Sequence, residues 1–180
     1  YTGYAGKAHA SYQGHIGATA VKPRVAFAYG SGDNQGRSGG GGSDKNFPGI
    51  NPSFTPGYIF SNSEFLAGMN ISSKPWTNGE VSNLAVWEAG VDITPTDKLS
   101  FELSGYNFWL NSLTTGTFGG QRCIGGEVDF TAKYVFSANV TASVYAGRFF
   151  NGGFIKSVAA ANGTPSNAIS SLGTYLTVTF

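Results

Sequence analysis

Apolar and polar residues alternate one for one along much of this chain. At 171–180, Leu172, Thr174, Leu176, Val178 and Phe180 share one face, and Gly173, Tyr175, Thr177 and Thr179 the other. This period of two, in residues that favour extended backbone, predicts a β-strand. At 125–136, Val128, Phe130, Ala132, Tyr134 and Phe136 oppose Glu127, Asp129, Thr131 and Lys133. At 140–149, Val140, Ala142, Val144 and Ala146 oppose Thr141, Ser143 and Tyr145. Trp87, Ala89, Val91 and Ile93 oppose Glu88, Gly90 and Asp92, and Leu99, Phe101 and Leu103 oppose Ser100, Glu102 and Ser104. Near the start, Lys7, His9, Ser11 and Gln13 alternate with Ala8, Ala10 and Tyr12, and Val25, Phe27 and Tyr29 with Arg24, Ala26 and Ala28.

Seven strands of about ten residues or more are therefore expected. That is long beside the 5–6 residues usual in soluble sheets and close to the 9–11 a tilted strand needs to cross a hydrocarbon layer. Their connections are unequal. Short ones are expected at 15–22, 94–98 and 137–139, and long ones at about 32–83, 111–124 and 151–170. Short turns at one end and long loops at the other are the habit of outer-membrane barrels. The 32–83 connection reads as a long flexible extracellular loop, with a glycine run at 38–43 and a short hairpin near 58–73.

Composition narrows the class. The chain has 27 Gly, 14 Phe and 9 Tyr but only 12% charged residues, too apolar for disorder and too broken by glycine for helices. No apolar run is long enough for a helical membrane span. The formal net charge of +1 gives no basic stripe for nucleic acid. The lone Cys123 excludes an intrachain disulfide and has no evident His or acid partner. The aromatics Tyr29, Trp87, Phe108, Trp109, Tyr134, Phe136, Phe149, Phe150 and Phe180 fall toward strand ends, where amphipathic rings meet a headgroup layer. Lipid offers no partners for open sheet edges, so closure follows. The expected fold is all-β, a transmembrane antiparallel β-barrel meander. It would be a single domain over 1–180 or the C-terminal part of a larger barrel. An odd number of visible strands, and strand pattern starting almost at Tyr1, favour strands lying upstream.

The apolar faces, with Phe101, Val128, Phe130, Val144, Leu176 and Val178, would then meet lipid. The opposite faces would line a lumen, giving Lys7, His9, Arg24, Glu88, Asp92, Glu102, Glu127, Asp129 and Lys133 as pore-lining candidates. Charges at membrane depth are costly unless they face water or one another. Catalysis has little support. His9 and His15 lie at no metal spacing, and Glu127 and Asp129, about 7 Å apart on one strand face, read more readily as pore carboxylates than as an acid pair. Asp33 and Asp44 lack an EF-hand spacing. No cofactor or metal is expected.

Several segments together resemble the C-terminal part of the alginate-export family of outer-membrane porins. They are KPRVAFAYGSGD at 22–33, NLAVWEAGVD at 83–92, LSFELSGYNFWL at 99–110, GGEVDFTAKY at 125–134 and VYAGRFF at 144–150, with the tail ending in Phe180. The resemblance implies a barrel of many strands in the bacterial outer membrane, a terminal phenylalanine read by the outer-membrane assembly machinery, and a basic channel for an anionic polysaccharide. The candidates here depart from that channel, with five acids against Lys7, Arg24 and Lys133. The function implied is a porin passing small solutes or a polysaccharide by passive diffusion. The alternative is a structural or surface-interaction barrel displaying long loops. Outer-membrane lipid, the assembly machinery and the solute are the partners implied, with no nucleic acid.

Overall fold

The computed structural model describes residues 2–32, 55–62, 81–113, 118–163 and 167–179. Eight strands lie in one antiparallel sheet: β1 (Ala5–Ser11), β2 (Gly14–Ile16), β3 (Thr19–Gly30), β4 (Leu84–Thr96), β5 (Leu99–Leu110), β6 (Cys123–Ser137), β7 (Val140–Asn151) and β8 (Ile169–Val178). The order is β1-β3-β4-β5-β6-β7-β8, with β2 also on β3. Two-residue turns at Asp97-Lys98 and Ala138-Asn139 close hairpins where short connections are expected. The 15–22 connection is instead mostly strand: β2 pairs Gly14, His15 and Ile16 with the start of β3, and only Gly17-Ala18 turns. Gly17 supplies the left-handed φ of +62° which that turn needs.

The expected alternation is present. Trp87, Leu103, Val128, Phe130, Val144, Leu172 and Leu176 are exposed on one face. On the opposite face, cross-strand register brings Arg24 beside Gly90, Asp92 beside Glu102, and Asp129 between Ser104 and Gly147. The core lies on this second face, at the end where β4, β6 and β8 begin. Leu84, Val86, Phe108, Leu110, Ile124 and Phe149 are buried there under two pieces of connecting chain. One is residues 55–62, which lay Phe60 flat against Phe108, ring centroids 3.9 Å apart. The other is a helix, α1 (Gly153–Ala161), which buries Phe154, Ile155, Val158 and Ala159. Each fully buried side chain of this size contributes about 1.5–3 kcal/mol. Helix α1 falls inside the 151–170 connection expected to be loop. Its FIKSVAAA run holds no glycine, and its apolar residues at i, i+1, i+4 and i+5 form one stripe. Asn83, 3% exposed at φ +53°, ties strand ends together: its amide donates to the Ser112 carbonyl and its side-chain oxygen accepts the Ser112 N–H at 2.8 Å.

The expected barrel closure is not found. Among the described residues β1 pairs only with β3, and β8 only with β7, so the sheet is open with an unpaired edge on each flank. This corrects the transmembrane β-barrel reading. Alternation sets two faces but does not make the first and last strands meet. A diffusion pore needs a continuous wall, which this sheet lacks, and the supposed luminal face is filled at one end by an aromatic core. The porin function therefore falls. So do the outer-membrane location and the partners inferred with it, namely outer-membrane lipid, the assembly machinery and a transported solute or polysaccharide. The barrel displaying long loops falls for the same reason. The hairpin expected at 58–73 is a turn at 58–61, and its remainder lies outside the described residues. The glycine run, Asp33, Asp44 and Phe180 also lie outside them.

Candidate functional site

Two charged clusters occupy the second face, side by side over β3–β7. The first is built on Arg24. Its strand partner Gly90 has no side chain, so the guanidinium lies across β4; a Cβ at Gly90 would stand 3.0 Å from the guanidinium carbon. From there Nε donates to Glu88 at 3.0 Å, Nη1 to Asp92, and Nη2 to Glu102 and Ser104, both at 2.5 Å. One planar fork thus binds three carboxylates on two strands, as guanidinium geometry allows. Burial opposes the charge, but the hydrogen bond to Glu88 and the fields of Glu102, Asp92 and Glu88 outweigh it and hold Arg24 above its ordinary pKa. Beside the cluster lies an open groove of about 470 Å³, lined among others by Asp92, Ser100, Glu102, Thr131 and Lys133.

The second cluster is built on Glu127 and Asp129, two apart on β6 and 1% and 4% exposed. Their partners are backbone amides. Glu127 accepts the N–H of Ile59 at 2.6 Å and of Phe60 at 2.8 Å, and Asp129 Oδ2 accepts the N–H of Tyr58 at 2.9 Å. Two side chains therefore grip three successive residues of the 55–62 segment, hereafter the strap. Gly57 makes the approach possible: it takes φ +76°, and a Cβ there would lie 2.6 Å from a Glu127 oxygen. The Tyr58 hydroxyl hydrogen-bonds Thr131, and its ring packs on Tyr145. Asp129 Oδ1 is buried with no hydrogen-bond partner among the described residues. Burial, then the charge of Glu127 and a hydrogen bond with it, push the Asp129 pKa from 3.8 to about 8. Burial and the adjacent charge thus favour the protonated form of Asp129. Burial also raises the Tyr106 hydroxyl nearby to about 12.

Of the nine candidates read from sequence, the structure brings six into these two clusters: Arg24, Glu88, Asp92, Glu102, Glu127 and Asp129. Lys133 lines the groove beside the first cluster. Lys7 and His9 stand apart on the exposed strand β1. Arg24 and its carboxylates clip β3, β4 and β5 together beside the open groove, and Glu127 and Asp129 clip the strap to β6. Sequence reading missed the strap amides, Ser104, Tyr106 and the two glycines under the large polar groups. Those glycines are recognisable only once register sets Gly90 opposite Arg24 and Gly147 opposite Asp129. At Gly147 a Cβ would stand 2.7 Å from Asp129 Oδ1. Gly147→Ala is therefore expected to lower stability by about 1–3 kcal/mol, the usual range for overpacking. Urea unfolding checks this, with Gly6→Ala, where a Cβ meets nothing within 4 Å, as the neutral control.

Among the described residues no group of three or more His, Cys, Asp and Glu could hold a metal ion. No protein-family model matches the chain, and no curated protein matches it. The resemblance to alginate-export porins is accordingly withdrawn: its motifs are short alternating strands that recur in many sheets, and the closed wall they implied is not found.

Proposed function

We propose that this chain is a non-enzymatic self-assembly module whose exposed sheet face is covered by the same face of a second copy. The observation that carries this is the character of that face. Across β4–β8 its positions include Trp87, Leu103, Trp109, Val128, Phe130, Tyr134, Phe136, Val144, Phe150, Leu172, Leu176 and Val178, all exposed. The one charged residue among its described positions on β4–β8 is Arg148, which lies 5.5 Å from the centre of the Phe150 ring. A contiguous apolar patch running over several long strands is the kind of surface that marks an interaction site. Two such sheets pack about 10 Å apart with interdigitating side chains. A face whose one described charge on β4–β8, Arg148, already lies against a ring can meet its own copy at little desolvation cost, and offers little by which to select a charged partner. The unpaired edges of β1 and β8 add backbone donors and acceptors at the flanks of such an assembly. On the other face, Arg24, Glu88, Asp92, Glu102, Glu127 and Asp129 are engaged with one another, Ser104 or the strap, which supports a non-catalytic role.

Sedimentation equilibrium of the refolded chain in detergent-free buffer tests this reading. The expected result is a mass twice that of the chain. Phe130→Glu, which sets a charge at the centre of the face between Leu103 and Ala146, should return the monomer with its circular dichroism unchanged. A monomer at all concentrations that takes up a dodecyl maltoside micelle on the same face would overturn self-assembly.

A further inference from the structure

We propose that the Glu127–Asp129 pair is a pH-operated latch that holds the strap over the aromatic core at neutral pH and releases it in mild alkali. The geometry makes the pair bistable. Both carboxyl groups are buried on one strand face, both are spent on the strap's backbone, and the Asp129 Oδ1 atom has no donor among the described residues. With one proton held by the pair, a single negative charge faces three N–H dipoles. With the proton gone, two negative charges sit on adjacent inward positions, and burial sharpens their repulsion.

The surroundings offer little compensation. From β6 the group facing Asp129 is Glu127. From β5 they are Glu102 and Tyr106, beside Ser104. From β7 it is Tyr145, next to the bare backbone of Gly147. From the strap it is Tyr58. The nearby cation, Arg24 on β3, is already engaged by Glu88, Asp92 and Glu102. Asp129 is raised to about 8, so the change falls at an accessible pH.

The strap is built to respond as a unit. It is a compact turn, with Ser61 Oγ on the Pro56 carbonyl at 2.8 Å and Asn62 N–H on the Ile59 carbonyl at 3.1 Å. Beyond the carboxylates, its hold on the sheet includes the Phe60 ring on Phe108 and Phe149 and the Tyr58 contacts. Its release would uncover the Phe108–Phe149 aromatic pair, whose rings lie 6.0 Å apart.

Pulsed hydrogen exchange, corrected for the intrinsic rate at each pH, reads this directly. In the wild-type chain, protection of the Ile59 and Phe60 amides is expected to fall by up to about ten-fold between pH 7 and pH 9.5, the most one such proton supplies over that range, while β5 and β6 amides hold theirs. In Asp129→Asn, whose amide can donate to Glu127 and accept from Tyr58 without ionising, protection should be flat over the same range. Strap protection in the wild type that does not change with pH would overturn the latch, even if the variant fails to fold. So would an equal fall in Asp129→Asn, which would place the titrating group elsewhere.

Discussion

Arg24→Leu is expected to lower unfolding free energy by about 2–4 kcal/mol. Removing one partner of a buried ion pair typically costs about 3–5 kcal/mol, because the charge left behind is uncompensated. Here three carboxylates lose their shared cation, but the Asp92 and Glu102 side chains are 36% and 46% exposed. Water screens them, so the loss should fall short of the fully buried figure. Two companion measurements make the cause visible. In 1 M salt the Debye length shrinks to about 3 Å, and the difference between variant and wild type should narrow. Adding Glu88→Gln, Asp92→Asn and Glu102→Gln to Arg24→Leu should recover much of the loss, since neutral amides no longer repel one another across β4 and β5. Urea unfolding reads all of these. A loss within about 0.5 kcal/mol of wild type would reduce the cluster to ordinary surface pairing.

Phe108→Ala should cost more, about 3–5 kcal/mol, the range for deleting a buried aromatic ring. Phe108 is fully buried, stacked on Phe60 and 6.0 Å from the Phe149 ring. Phe130→Ala, on the other face and 40% exposed, should cost about 1 kcal/mol or less when measured on the dilute monomer. The two residues are alike in type and lie on neighbouring strands but on opposite faces, so the comparison tests which face is packed. A larger loss at Phe130 than at Phe108 would mean that the core lies on the opposite side of the sheet.

The pH dependence of stability follows from Asp129. Its pKa in the folded chain, about 8, lies above the 3.8 of a free carboxyl group, so the folded state holds an extra proton between those values. The stability tied to that proton is complete below the window and declines as pH rises through it. This runs against the usual carboxylate, whose ion pairs fail in acid.

The sequence by itself determined seven of the eight strands, with β1 shorter than expected at 7 residues, the two faces of each, and two of the tight turns. Alternation of Val128, Phe130 and Ala132 with Glu127, Asp129 and Thr131 leaves no other regular backbone, because only an extended chain puts successive residues on opposite sides. It also placed six charged residues of the two clusters on one face. Tertiary structure alone decided what that face does. Whether Glu127 borders water or grips a backbone depends on where residues 57–60 return, some seventy positions earlier in the chain. Whether Arg24 can cross β4 depends on the register that sets Gly90 opposite it. The helix at Gly153–Ala161 becomes stable only where the sheet end offers Ile124 and Phe149 to cover its short apolar stripe. Closure is decided in the same way. A period of two is satisfied equally by an open sheet and a closed one, since the pattern records which side each residue faces and nothing about whether β1 and β8 meet.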